Sequence, residues 1–345
     1  MVSGSFFKEL VQKSCISFFR TFFVGLAIIF LIVFISLLGK KPPQGTHTTT
    51  AVALPTHDWK QKDLSRTTPT IILIEIKGEI GLKNALTKET IRQQLMDTID
   101  GEIKIGQVKG LALFINSPGG TVDDSDAIYR LIREYKTRYK IPVWAFVEGM
   151  CASGGVYIAS SADKIIATED SIIGSVGVIM GPAFNFSALM DKVGVQSKTI
   201  TAGKDKDMLN PFRPWQPEDG KNFQEICDSN YQLFLSIVSA ARPKLTKETL
   251  IDLGAQVFSA TKARDLGYID EVVDNRDVAL KNMATFLGIE KNYQLVRLQT
   301  KTWFEDLFEY NALFKGKIEH TIKLSNFPAE FAGKPLYLYC PELQN

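Results

Sequence analysis

Ser153 is the residue of this chain best placed to do chemistry. It lies in Gly149-Met150-Cys151-Ala152-Ser153-Gly154-Gly155, between an apolar run and a stretch of small residues. The run Val143-Trp144-Ala145-Phe146-Val147 is short, continuous and rich in β-branched and aromatic residues, which predicts a buried parallel strand. The residues after it, through Ala162, predict a buried helix whose first turn holds Ser153, Gly154 and Gly155. Backbone N–H groups at a helix start lack intrahelical partners, and they favour the negative charge that develops on a carbonyl oxygen in acyl transfer. Glycines beside the serine let a substrate backbone approach. The alternative is a tight loop with a helix-capping serine, so other parts of the chain must decide.

Three further segments bear on that choice. Gly119-Gly120 follows a predicted strand and could supply the other half of an oxyanion hole; alone it reads as a turn. Ser175 sits in Gly174-Ser175-Val176-Gly177, where a small residue also eases close packing. Lys206 sits in Gly203-Lys204-Asp205-Lys206-Asp207, a pattern that alone signifies a charged surface. The three histidines, His47, His57 and His320, flank the expected core and leave it without an imidazole. A Ser-His-Asp triad is thereby disfavoured, and an activated serine needs another base, best supplied by a lysine. A free lysine, with a pKa of about 10.4, is protonated at neutral pH. Lowering that value to about 7 takes about 4 kcal/mol of desolvation and positive neighbours, so the base must be buried when the site is assembled. Asp205 and Asp207 would oppose this if their carboxylates faced the amine.

Composition narrows the class. The chain has 345 residues and a formal net charge of +2, with acids interspersed among its lysines and arginines; this gives no case for a nucleic-acid partner. The four cysteines, Cys15, Cys151, Cys227 and Cys340, show neither paired spacing nor a zinc pattern, and no motif calls for a metal or cofactor. Cys151 reads as a small buried thiol rather than a nucleophile.

Along the chain, Phe22 to Leu38 is apolar except for Gly25 and Ser36. As a helix it would extend roughly 26 Å, the short end of a membrane crossing. Residues 1–21 are then expected to be cytoplasmic, 22–38 a transmembrane helix and 39–69 a linker rich in Thr, Pro, Gln and Lys. Lys8, Lys13 and Arg20 before the run, against Lys40 and Lys41 after it, favour that orientation only weakly. A globular domain is expected over 70–275. Strands are predicted at 71–76, 110–115, 143–147, 196–200 and 294–298, with apolar runs at 164–168 and 172–180. Helices are predicted at 88–99, after Gly120 with Ile128, Leu131, Ile132 and Tyr135 on one face, and from Pro217 with Phe223, Ile226, Leu233 and Ile237 buried. The alternation defines an α/β fold. Residues 276–345 are set apart as a C-terminal extension of unassigned role, with a helix near 278–287.

The ordered set of segments resembles the signal peptide peptidase A family of membrane-anchored bacterial Ser-Lys proteases, from about Ile71 to Val273. Ile115-Asn116-Ser117-Pro118-Gly119-Gly120 matches the family's oxyanion turn. Met150 to Gly155, with Ala162-Asp163-Lys164-Ile165, matches its nucleophile motif, and Gly174 to Val178 matches the segment whose serine orients the base. Gly203 to Pro211 matches the base segment, and Phe258-Ser259-Ala260 with Ala263 to Asp270 the closing one. The resemblance implies a ClpP/crotonase-like fold of stacked ββα units behind one N-terminal transmembrane helix. It implies Ser153 as nucleophile, Lys206 as general base, Ser175 as its orienting residue, and Gly119, Gly120 and Gly154 as oxyanion-hole backbone. Lys204 is an alternative base. A ring-like homo-oligomer is implied, with serine and lysine brought together from neighbouring subunits. So is a place on the bacterial inner membrane, with the catalytic domain periplasmic and cleaved signal peptides among its substrates. Three other readings stand beside it: a Ser-Lys peptidase devoted to one membrane protein, as in the stomatin-associated type; a crotonase-like acyl-CoA enzyme; and a non-catalytic scaffold.

Overall fold

The computed structural model describes residues 22–26, 28, 48–60, 63–81, 86–101, 103–301 and 336–338. Its core is a sheet in the order β1-β9-β2-β3-β4-β5-β8. The strands are β1 (Thr48–Leu54), β2 (Thr70–Ile80), β3 (Val108–Thr121), β4 (Val143–Ala152), β5 (Lys164–Thr168), β6 (Ile172–Gly174), β7 (Val257–Ser259), β8 (Glu271–Val273), β9 (Gln294–Lys301) and β10 (Leu336–Leu338). From β9 through β2, β3, β4 and β5 to β8 every pairing is parallel. The helices are α1 (Lys88–Asp100), α2 (Val122–Tyr139), α3 (Gly154–Ala159), α4 (Ser187–Val193), α5 (Lys221–Ala241), α6 (Lys247–Leu253), α7 (Ala260–Leu266) and α8 (Arg276–Phe286).

Both faces of the sheet are covered, which is why its strands read as continuous apolar runs. Ile72, Ile74, Leu111, Leu113, Val143 and Ala145 pack with Ile91, Ile128, Ile132 and Phe234 on one side. Ile71, Leu73, Ala112, Phe114, Trp144 and Phe146 pack with Ala279, Leu280 and Met283 of α8 on the other. Adjacent residues of one strand thus enter different cores, the period-two rule of extended chain. α8 and β9 belong to this architecture, so the domain does not close at residue 275: without α8 one face of the sheet would be bare. Likewise Thr48–Leu54, within the expected linker, forms β1 at the sheet edge beside β9.

Two other expectations fail for one reason. Residues 196–200 form no strand and lie exposed, and the buried positions of α5 are Phe234, Leu235, Ile237 and Val238, whereas Ile226 and Leu233 are exposed. Between about residues 179 and 230 no described residue belongs to either hydrophobic core, so apolar periodicity there meets no core among the described residues. β3, expected to stop at Ile115, continues through the Gly119-Gly120 turn to Thr121, because its last residues pair with β2 and β10. The Thr121 side chain then caps α2 by accepting from the Asp124 N–H.

The expected transmembrane run falls largely outside the described residues; within it 22–26 and 28 are helical. Among the described residues no helix is long and apolar enough to cross a membrane. The expected cytoplasmic segment 1–21 also lies outside them, as do His47, His320, Cys15 and Cys340.

Candidate active site

The sheet divides at the C-terminal ends of β3 and β4. Through Val147, β4 pairs with β5; from Met150 to Ala152 it pairs instead with Ile172 to Gly174 of β6. On its other side Cys151 stands opposite Ser117 of β3. The chain then turns sharply at Ser153 into α3. Crevices beyond the carboxyl ends of parallel strands are where open α/β sheets place their ligands.

Ser153 is buried, 1% exposed, with φ 51° and ψ −112°. A non-glycine residue at positive φ is strained by roughly 1–3 kcal/mol and persists only where its surroundings enforce it. Here the Ser153 N–H donates to the Gly174 carbonyl at 2.8 Å, and its own carbonyl accepts from the Tyr157 N–H at 3.0 Å. Ser153 occupies the N-cap position of α3, yet its side chain makes no capping hydrogen bond. The capping role that was the plain alternative is therefore not what this serine does. Behind it, the fully buried Tyr157 donates from its hydroxyl to Asp126 of α2 at 2.7 Å and packs on Phe234 with ring centroids 5.0 Å apart. α3 cannot slide without breaking these contacts.

Ser175 is carried to the same place. Ala152 pairs with Gly174, so Ser153 and Ser175 are the next residues on two adjacent parallel strands. Ser175 is 6% exposed, has φ 56° and donates its N–H to the Gln256 carbonyl at 2.7 Å. Gly174, at φ 138°, has no space for a Cβ, which would strike the Gln256 carbonyl. The glycine is what lets β6 pass between β4 and β7.

The oxyanion candidates separate on inspection. Gly154 opens α3, where first-turn amides have no acceptor within the helix. The Gly119 N–H, by contrast, donates to the Ser117 hydroxyl at 3.1 Å, and that hydroxyl donates to the Gly78 carbonyl at 2.6 Å. Gly119 is thus committed to holding the turn, and Gly120 lies one residue further along the same strand.

Lys206 is not gathered into this cluster. It and Lys204 are exposed in a run of turns, and no hydrogen bond links Lys206 with Ser153 or Ser175 among the described residues. The loop that carries it is nonetheless ordered by Arg213. The guanidinium donates to Asp207 at 2.9 Å and to both oxygens of Asp219 at 2.6 and 2.9 Å. These bonds hold the Asp219 carboxyl well below the ordinary carboxylate range, and they turn the Asp207 carboxylate toward Arg213.

Residues not singled out in the sequence complete the frame. The Asn116 side-chain oxygen accepts from the Met150 N–H at 3.1 Å, tying β3 to the strand end before Ser153. Buried Ser171 accepts from the Gly149 N–H at 3.3 Å, donates to the Val147 carbonyl at 3.1 Å and lies 2.9 Å from the Thr168 hydroxyl. Asn116 lies within a recognisable breaker cluster, but nothing in the local pattern marks Ser171, whose role exists only once β4 and the β5–β6 turn meet. Cys151 is fully buried, and burial pushes its thiol up to about 12, so it stays protonated and inert beside the serine.

The sequence pattern of peptidase family S49 matches residues 136–289, a span that holds Ser153, Ser175 and Lys206. The candidate protease slr0021 of Synechocystis sp. is 31% identical over 287 residues, covering 78% of this chain and 95% of that protein. The candidate signal peptide peptidase SppA of Enterococcus faecium is 31% identical over 211 residues, 60% of this chain and 61% of its own. The chloroplastic serine protease SPPA of Arabidopsis thaliana is 30% identical over 213 residues, 60% of this chain and 31% of its own. The chain belongs to peptidase family S49, of the signal peptide peptidase A type. It spans about three-fifths of the length of the Enterococcus relative and of one from Methanocaldococcus jannaschii. Among solved structures, a point mutant of ClpP1 from Listeria monocytogenes is 18% identical, covering 59% of this chain and 92% of that one, with a TM-score of 0.39. That likeness is too loose to define the superfold.

The Ser171 hydroxyl serves one donor and two oxygens at once, so Ser171→Ala leaves buried groups unpaired. Denaturant unfolding should show a loss of about 1–3 kcal/mol, and an unchanged midpoint would contradict the bracing role assigned to it.

Proposed function

We propose that this protein is a serine endopeptidase with a Ser-Lys dyad: Ser153 is the nucleophile and Lys206 the general base. The observation that carries the reading is the conformation of Ser153, a buried, strained, non-capping serine at a strand-to-helix turn, which is how a nucleophile's hydroxyl is presented at the top of a sheet. Gly154 and Gly120 N–H groups bind the developing oxyanion, and Ser175 orients the lysine. The fold is of the ClpP/crotonase type.

The mechanism follows from what each group must do. Ser153 Oγ attacks the scissile carbonyl as neutral Lys206 takes its proton; the lysine returns that proton to the leaving amine, and water then hydrolyses the acyl-enzyme by the reverse path. A lysine accepts a proton only when unprotonated, and desolvation is what favours that form. Lys206 is exposed on a single chain, so its desolvation has to come from another subunit. The arm between β6 and α5 is shaped for this purpose. Phe184, Phe186, Leu189, Val193 and Phe212 are all exposed, and α4 buries no residue within its own chain. Apolar surface of this extent marks an interface, and a ring of identical subunits would place each arm, with its lysine, at the serine of its neighbour.

Residues 22–38 anchor the protein in the inner membrane, with the domain on the periplasmic side. Its substrates are membrane-derived peptides such as cleaved signal peptides.

Three results are expected. A fluorophosphonate probe labels the purified protein on Ser153, and Ser153→Ala abolishes both labelling and peptide hydrolysis while the thermal transition is kept; wild-type turnover in that variant would remove Ser153 from the mechanism. Mixed oligomers of inactive Ser153→Ala and inactive Lys206→Ala chains regain partial activity, because some interfaces then pair an intact serine with an intact lysine. No recovery from verified mixtures would place the base within the same chain, and full activity in Lys206→Ala would point to Lys204. In spheroplasts, added protease digests the domain together with a periplasmic control; protection of the domain alone would overturn the topology.

A further inference from the structure

The guanidinium of Arg213 is used to its full capacity. Its Nε donates to Asp207 Oδ2 at 2.9 Å, Nη1 to Asp219 Oδ2 at 2.6 Å and to the Pro214 carbonyl at 2.9 Å, and Nη2 to Asp219 Oδ1 at 2.9 Å and to the Asp207 carbonyl at 2.6 Å. Every N–H that a guanidinium possesses is thereby engaged. Two of these bonds fall on Asp207, the residue that follows Lys206, one on its carboxylate and one on its backbone. Asp219, at the other end, is tied to the chain just before α5, accepting from the Gln216 N–H at 2.7 Å and the Leu209 N–H at 3.4 Å. Asn210 adds a second grip: its side-chain amide donates to Asp207 Oδ1 at 2.6 Å and to the Thr199 hydroxyl at 2.9 Å, and its carbonyl accepts from the Trp215 indole at 3.0 Å. Charge-assisted bonds therefore hold the residue beside Lys206 to the start of α5, although neither hydrophobic core reaches it.

This bracing surrounds a lysine that is itself exposed, between Asp205 and Asp207. A carboxylate close to an amine favours the charged ammonium, the form that cannot accept a proton. Arg213 engages one of the two flanking acids. The other charges on the loop are Lys204 and Asp205, both exposed, and Glu218, which pairs with Lys221. Lys198 precedes Thr199, and α4, joined to the loop where the Phe186 N–H donates to the Pro211 carbonyl at 2.7 Å, brings Asp191 and Lys192; all three are exposed. We propose that Arg213 is the positioning residue of Lys206: it fixes the backbone next to the lysine before a neighbouring subunit arrives, and it keeps the Asp207 carboxylate occupied so that it does not pair with the amine. Arg213 acts through Asp207 and touches no reacting atom. A lysine in its place would bring three donors on a flexible stem to positions that five planar donors fill. This role rests on the reading of Lys206 as general base.

Full-length Arg213→Gln, Arg213→Lys and Arg213→Gln/Asp207→Asn proteins are compared with wild type in hydrolysis of a fluorogenic peptide across pH, with assembly size followed by light scattering. In Arg213→Gln the released Asp207 carboxylate favours the ammonium, so the acid limb of kcat/KM moves to higher pH by about one pH unit, which is a roughly tenfold lower rate at a pH on that limb. Removing the carboxylate in the double variant returns the limb to its wild-type position. Its kcat on the alkaline plateau still falls by about tenfold, because the backbone beside the lysine remains unbraced. Arg213→Lys keeps the charge without the five-bond geometry and moves the limb in the same direction by less; it decides the matter if Arg213→Gln does not assemble. A lower rate at every pH with the limb unmoved makes Arg213 merely structural and overturns the proposal, as does a limb that Asp207→Asn fails to return. Wild-type activity in Lys206→Ala removes the lysine base itself and this role with it, whereas inactive Lys206→Ala beside an unmoved limb overturns the role of Arg213 alone.

Discussion

The hydrogen bond from the Ser153 N–H to the Gly174 carbonyl, 2.8 Å long, holds together the parts of this structure that matter most. It is made where β4 has already left β5 for β6, and it closes the turn that puts a serine at φ 51°. Such a backbone is unfavourable on its own account, so the surroundings have to impose it. They do so from four directions: Ser171 grips the strand before the turn, Asn116 ties that strand to β3, Tyr157 pins the helix after it, and Gly174 removes the side chain that would push β6 away. None of these is a reacting group. Their joint effect is a rigid serine whose hydroxyl is left out of the capping role its position would otherwise assign.

The same geometry explains why a thiol two residues from the serine is not a rival. Cys151 points into the apolar core between β3 and α3, where ionisation is opposed by burial and no cation offsets it. Two residues apart on an extended strand, Cys151 and Ser153 would share a face; the turn at Ser153, with φ 51°, ends the alternation and takes the serine out of the ladder. Both are buried, so what sets them apart is that turn, which only the packed sheet can impose.

Electrostatic order and apolar exposure meet on the arm between β6 and α5. Arg213 gathers Asp207 and Asp219 into one hydrogen-bonded knot, giving a polar loop a definite shape without a core beneath it. Around that knot aromatic and aliphatic side chains stay in solvent. A segment that is internally braced and externally apolar is unfavourable for an isolated chain and natural for a subunit of a larger assembly.

Much of this was legible beforehand. The apolar runs of β2, β3, β4 and β5 and the glycine-flanked serine are facts of composition and spacing, and they led to an α/β core and to the strand-to-helix turn at Ser153. Strands buried on both faces announce themselves because every residue must be apolar. What the sequence left open lies where one stretch of chain depends on a distant one. The hydroxyl of Ser171 becomes a brace only against Val147 and Gly149, and α8 and β9 look like an appendage until a bare sheet face and an open sheet edge require them. Gly119 becomes a structural amide only when Ser117 folds back to receive it. The apolar spacing at 196–200 and in the first half of α5 misled because periodicity records that a side chain wants burial, not whether its partner lies in the same chain. Local pattern fixes which residues avoid water; only the three-dimensional arrangement determines what they meet instead.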